Sequence, residues 1–105
     1  MLIVTTDTIV GKEILEVKGL VRGSTIRSKH LGNDIAAAFK NLAGGELNSY
    51  NDMLTEARQI AIGRMVEDAE AKGANAIIGM RLMSSSVMSG AAEMVAYGTA
   101  VVIND

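Results

Sequence analysis

Apolar and polar residues alternate along residues 12–26. Leu15, Val17, Gly19 and Val21 occupy odd positions, while Glu16, Lys18 and Arg22 occupy even ones, with Ile14 and Leu20 interspersed. A period of two is the mark of a strand with one buried face. Gly19 and Gly23, on the face expected to be buried, predict a bulge or the close approach of another element. Ahead of this strand, residues 1–6 (MLIVTT) form a short β-rich run. Beyond it, Ile35, Phe39 and Leu42 recur at helical spacing. Asn33 or Asp34 can cap the start of that short helix, and Gly44-Gly45 can end it.

A second, longer helix is expected over residues 50–72, opened by Ser49 and Asp52 in capping-box spacing and closed by Gly73. Met53, Leu54, Ala57, Ile60, Ala61, Met65 and Asp68 line one side of it, and Ile62 with Val66 makes a weaker, offset patch. Arg64 and Asp68 border the main stripe, and Gly63 interrupts a helix interior at a cost of about 1 kcal/mol relative to Ala. An approaching neighbour would account for that glycine.

The remaining third reads as two strands joined by a loop at about residues 84–90. In the first strand Ala76, Ile78, Met80 and Leu82 share one face, and Ile77, Gly79, Arg81 and Met83 share the other. In the second, Ala92, Met94, Ala96, Gly98, Ala100 and Val102 form a small-residue face suited to a helix, with Glu93, Val95, Tyr97, Thr99, Val101 and Ile103 opposite. The expected fold is therefore α+β: an antiparallel sheet in β-β-α-α-β-β order with two helices on one face, in a single domain over residues 1–105. Neither face of the last two strands is polar. Two helices cover one face, and the other would expose more apolar area than a soluble monomer usually carries. A second subunit is the simplest cover, so a homo-oligomer built through the sheet is expected.

Composition narrows the chemistry. Of the 105 residues, 49% are hydrophobic but only 3% aromatic, so the apolar volume resides in small aliphatic side chains and methionines. There is no cysteine, which removes disulfides and thiolate metal sites. A net charge of −2, with both signs interspersed, provides no footprint for nucleic acid. Neither a signal peptide nor an apolar run of bilayer length is recognisable, and a cytoplasmic location is the expectation. His30 is the one histidine, in a polar loop, so no triad assembles. The glycines match no nucleotide-binding loop. Gly79 and Gly98, inside strands, leave room for a backbone, a ring or a ligand.

Two constellations remain. Met80, Met83, Met88 and Met94 are four thioethers around one hairpin, a donor type that selects Cu(I). Packing is the simpler role for them, because Met83 differs in parity from Met80 and Met94. Arg81 and Glu93 fall opposite one another if the hairpin turns near Val87, as a cross-strand ion pair on the face a second subunit would cover. They could instead meet an ionic ligand there, or serve an enzyme as an acid–base pair, although no further titrating group accompanies them.

The segments AGGELNSY, EARQIAIGRMVEDAEAKGANAIIGMRL and AYGTAVVI, with the earlier VKGLVRGSTI, resemble the YbjQ family in order and spacing over most of the chain. Gly44, Gly45 and Tyr50 carry the resemblance, as do Glu56-Ala57-Arg58, Gly73-Ala74-Asn75-Ala76 with Gly79, and Gly98-Thr99-Ala100-Val101. The resemblance implies a dodecin-like subunit in a ring-shaped homopentamer, without an established activity and with a label of putative heavy-metal binding. The expected role is that of a non-enzymatic oligomeric protein whose inter-subunit cavities hold a small ligand of unknown identity near Tyr50, Arg58, Arg81, Glu93 and Tyr97. Soft-metal binding through the four methionines is the alternative.

Overall fold

The computed structural model describes residues 1–27, 45–88 and 91–105. In chain order these form β1 (Leu2–Ile3), β2 (Ile14–Arg27), α1 (Gly45–Ala71), β3 (Ala76–Met88) and β4 (Ala91–Ile103). The strands make one four-stranded sheet in the order β1-β3-β4-β2. β4 pairs antiparallel with β2 and β3, whereas β1 runs parallel to β3. The sheet is thus mixed rather than purely antiparallel, because the chain crosses through α1 before returning beside β1. The short helix expected ahead of Gly44 lies outside the described residues, so the α+β class stands with one described helix.

α1 lies over β2 and β4. Among its described side chains Ala57, Ala61, Met65 and Ala69 are buried, at intervals of four, the spacing that stacks side chains on one helix face. Ala61, Met65 and Ala69 meet Val21, Ile77, Ala96 and Ala100 from the sheet in the main core. Ile62 and Val66, the offset patch, pack partly buried against the same cluster, so they need no outside partner. The contact is close because the sheet offers little more than hydrogen there. A Cβ on Gly23 would fall 2.2 Å from the Ala61 carbonyl oxygen and 2.2 Å from the Met65 nitrogen. Gly98 plays a similar part within the sheet, where a Cβ would meet Ile77 Cγ2 at 2.7 Å.

The helix ends as the sequence predicts. Gly73 adopts a φ of 80°. Its N–H bonds the Glu70 carbonyl at 3.0 Å, and the Ala74 N–H bonds that of Ala69 at 3.1 Å. This crossed pair is a Schellman cap. Asn75 then ties the turn to β4: its amide accepts from the Ile103 N–H at 2.8 Å and donates to the Ile103 carbonyl at 3.0 Å. The helix start differs from expectation. α1 begins at Gly45, so Gly45 opens this helix, and Ser49 and Asp52 lie within its first two turns rather than at its cap. Gly63 has nothing within 4 Å of a built Cβ, so no close neighbour explains it.

Two glycines reverse the faces inferred from simple alternation. Gly19 has a φ of 110° at a register shift between Val17 and Gly19. Val21 consequently points to the helix, while Leu15 and Val17 are exposed instead of sharing its buried face. Gly79, with a φ of 61°, sits at the shift between Ile78 and Arg81. Ile77 is therefore buried beneath α1, and Ala76 and Ile78 join Val101, Ile103, Ile9 and Ile14 in a second cluster. An extra residue in one strand inverts all parity beyond it.

These glycines predict opposite responses to the same substitution. Gly23→Ala should destabilise at or beyond the upper end of the roughly 1–3 kcal/mol typical of overpacking, because the obstructing atoms are backbone. Gly63→Ala, in an open helix interior, should stabilise by about 0.5–1 kcal/mol. Urea denaturation of the two variants checks both signs.

Candidate functional site: the sheet face opposite the helix

The register assigns residues to the face away from α1. Arg22, Tyr97 and Arg81 form one row across β2, β4 and β3. Ser24, Val95 and Met83 form the next, and Ile26, Glu93 and Ser85 the third. Rows two residues apart along a strand are separated by about 6.6–6.8 Å. At the far end, Ile9 packs against Val101 and Ile103, so residues of the N-terminal segment cover that corner. Elsewhere the face carries large exposed apolar side chains: Val17 (64%), Leu20 (67%), Ile26 (57%) and Met83 (51%).

Arg81 does not pair with Glu93. β3 continues to Met88 and β4 begins at Ala91, so the hairpin turns beyond Met88 and not near Val87. Arg81 stands opposite Tyr97, and Glu93 opposite Ser85. Low β-propensity of the Ser84–Ser86 run conceals this extension, and the ladder overrides it. Arg81 instead holds the chain's first segment. Its Nη1 donates to the carbonyls of Thr5 and Met80, each at 2.8 Å. Around it, Val4 N–H bonds the Ile77 carbonyl at 2.9 Å and Gly79 N–H bonds that of Thr6 at 2.8 Å. The bulge at Gly79 and the guanidinium together extend the sheet edge past β1. Both carbonyls are neutral, so the charge of Arg81 has no counter-ion in the described residues.

Arg22 differs. Its own N–H donates to Asp68 Oδ2 at 3.3 Å, and the electrostatic influence of the Arg22 side chain also favours the Asp68 carboxylate. Arg64 Nη1 donates to the Ser24 carbonyl at 2.6 Å. Two helix residues thus reach the open edge of β2 and satisfy backbone groups that an edge strand otherwise presents to other chains. This explains why the apolar stripe of α1 is bordered by Arg64 and Asp68. Nothing in the helix pattern alone identifies their partners.

The candidate residues are divided by the fold. Arg81, Glu93 and Tyr97 share the uncovered face; Tyr97 is half-buried. Arg58 belongs to α1, on the other side of the sheet, where its Nη2 donates to Thr55 Oγ1 at 3.3 Å. Tyr50 is in α1, with its side chain outside the described set. Met80 and Met94 pack partly buried against the helix-side core, whereas Met83 is on the opposite face. The Met88 side chain and His30 are outside the described set. Sequence reading missed Leu20 and Ile26 as face residues; their sign was an apolar residue out of phase in β2. Among the described residues no three His, Cys, Asp or Glu side chains are grouped to hold a metal ion, and no helix is long and apolar enough to cross a membrane.

A small α+β unit with one described helix on a mixed sheet, and with exposed apolar side chains on part of the opposite face, is therefore defined. The chain belongs to the YbjQ family, whose model, described as "Putative heavy-metal-binding", matches residues 1–104. A UPF0145 protein of Clostridioides difficile is 75% identical over all of this chain and 94% of its own length. Another, from Clostridium perfringens, is 72% identical over all of this chain and 99% of its own. An archaeal UPF0145 protein, from Methanosarcina acetivorans, is 59% identical over 98% of this chain and 97% of its own. A crystal structure of a DUF74-family protein of unknown function from Pediococcus pentosaceus shares the fold, with a TM-score of 0.65 at 20% identity, covering 99% of this chain and 98% of that one.

The helix–edge contact has a pH signature. Lys72 Nζ donates to Asp68 Oδ1 at 2.6 Å, and this bond, with the Arg22 N–H, holds the Asp68 carboxyl below its ordinary value of 3.8. A depressed folded-state pKa contributes stability above the unfolded value, which is lost as pH falls through the folded value. Because the carboxylate is partly exposed, the contribution is roughly 0.5–1 kcal/mol. Asp68→Asn should lower stability by that amount at pH 7, and the gap from wild type should close below pH 3.8 in parallel urea titrations.

Proposed function

We propose that the chain is a non-enzymatic subunit of a homo-oligomer assembled through the sheet face opposite α1. The observation that carries this reading is the exposure of Val17, Leu20, Ile26 and Met83 on one side of β2 and β3. Contiguous apolar surface rimmed by polar residues marks interaction sites, and here the polar members include Arg22, Arg81 and Glu93. The ring-shaped homopentamer implied by the family resemblance supplies the expected copy number. A small ligand held where copies meet would have Arg81, Glu93 and Tyr97 within reach, since all three project from this face. Arg58, across the sheet, would contribute only if another copy also contacted α1.

A soft-metal site on Met80, Met83, Met88 and Met94 has weaker support. Met83 is separated from Met80 and Met94 by the thickness of the sheet, so one ion could not take all of these thioethers from a single copy.

Native mass spectrometry of the purified protein should give an integral multiple of 11.0 kDa above one, with five copies expected. Introducing a charge in the apolar face, by Leu20→Asp or Ile26→Asp, should shift the protein to monomer while circular dichroism stays unchanged. A monomeric wild type at micromolar concentration would refute the proposal.

A further inference from the structure

Burying this face would remove Arg81 and Glu93 from water, and neither has an ionic partner among the described residues. An uncompensated charge at a covered interface is costly, and removal of one member of a buried pair typically has a large effect. The two cannot neutralise each other within the chain. They are in rows separated by four residues along the strands, about 13 Å. Arg81 is also drawn toward the N-terminal segment by its bonds to the Thr5 and Met80 carbonyls. The rest of the face offers no substitute. Arg22 bonds Asp68 only through its main-chain N–H and forms no ion pair among the described residues, so it is a second cation in the row of Arg81; the other described neighbours across these rows are Ser24, Val95, Met83, Ser85, Ile26 and Tyr97.

The geometry points to an ion pair between copies, with the partner's Glu93 set over Arg81. The occupant of the face is thus a second copy of this chain, chosen by charge: among the described residues, one row carries two cations without an ion pair, Arg81 and Arg22, and another carries one such anion, Glu93, which makes the surface self-complementary. The inference rests on the assembly proposed above and adds its register. Adjoining copies are offset or reversed along their strands so that the third row of one meets the first row of the next. Nη1 serves the backbone carbonyls, and among the described residues Nη2 and Nε form no hydrogen bond, which leaves them for that carboxylate. Tyr97, between Arg81 and Arg22, would be enclosed beneath the pair.

The test is a charge exchange between copies. Arg81→Glu and Glu93→Arg are each expected to raise the concentration for half-assembly at least tenfold in native mass spectrometry or analytical ultracentrifugation. Combining both substitutions in one chain should restore assembly, because Glu at residue 81 of every copy then faces Arg at residue 93 of its neighbour, whatever the number of copies. Glu93→Arg serves as the control for folding, since Glu93 makes no described ion pair and Arg81 also secures the N-terminal segment. Three results discriminate. Wild-type assembly that survives both single variants overturns the ion pair while leaving assembly through the face intact. Loss of assembly in both single variants without recovery in the doubly substituted chain also overturns it. A wild type that never assembles removes the underlying reading as well.

Discussion

The fold depends on how closely α1 can approach the sheet. At Gly23 the helix backbone occupies the space in which any side chain would stand, and the opposing helix residues are mainly alanines. Apolar contact at this distance is dominated by many small dispersion terms between backbone and methyl groups rather than by large interlocking side chains. A chain with 3% aromatic residues can form a core only in this way. The close approach also brings the polar flank of α1 to the β2 edge. Arg64 and Asp68 there find a carbonyl and an N–H that would otherwise remain open. Core packing and edge protection are thus consequences of one helix position.

Bulged glycines decide what the other face contains. At Gly19 and Gly79 a positive φ accommodates an extra residue, and the alternation beyond each is inverted. Without the first bulge Leu15, Val17 and Val21 would share a side. Without the second Ile77 would leave the core. The second also creates the opening into which the N-terminal segment bonds, with Arg81 as its side-chain anchor. A cation on a hydrophobic strand therefore has a structural duty within the chain. Among the described residues its guanidinium bonds only neutral carbonyls.

The proposed assembly rests on this asymmetry. One side of the sheet is closed by the chain's own helix, and the other presents apolar residues beside charges that form no ion pair among the described residues. Surfaces of that composition associate specifically, because the apolar residues favour burial and the charges penalise any register that leaves them unmatched.

The sequence by itself determined the α+β class, the existence of the four strands, the long helix and its Gly73 cap, and the presence of an apolar face that α1 does not cover. Each is written in local periodicity or in a residue with a single conformational use. The family was legible too, from glycines and short motifs kept in order. Tertiary structure alone decided which residues occupy which face, because a bulge costs only one residue in sequence yet inverts every position after it. It also set the hairpin turn beyond Met88, where pairing along the ladder outweighs the weak strand preference of three serines. That displacement of the turn separates Arg81 from Glu93. Alternation could place both on the uncovered face; only the register could show that they do not meet there within one chain.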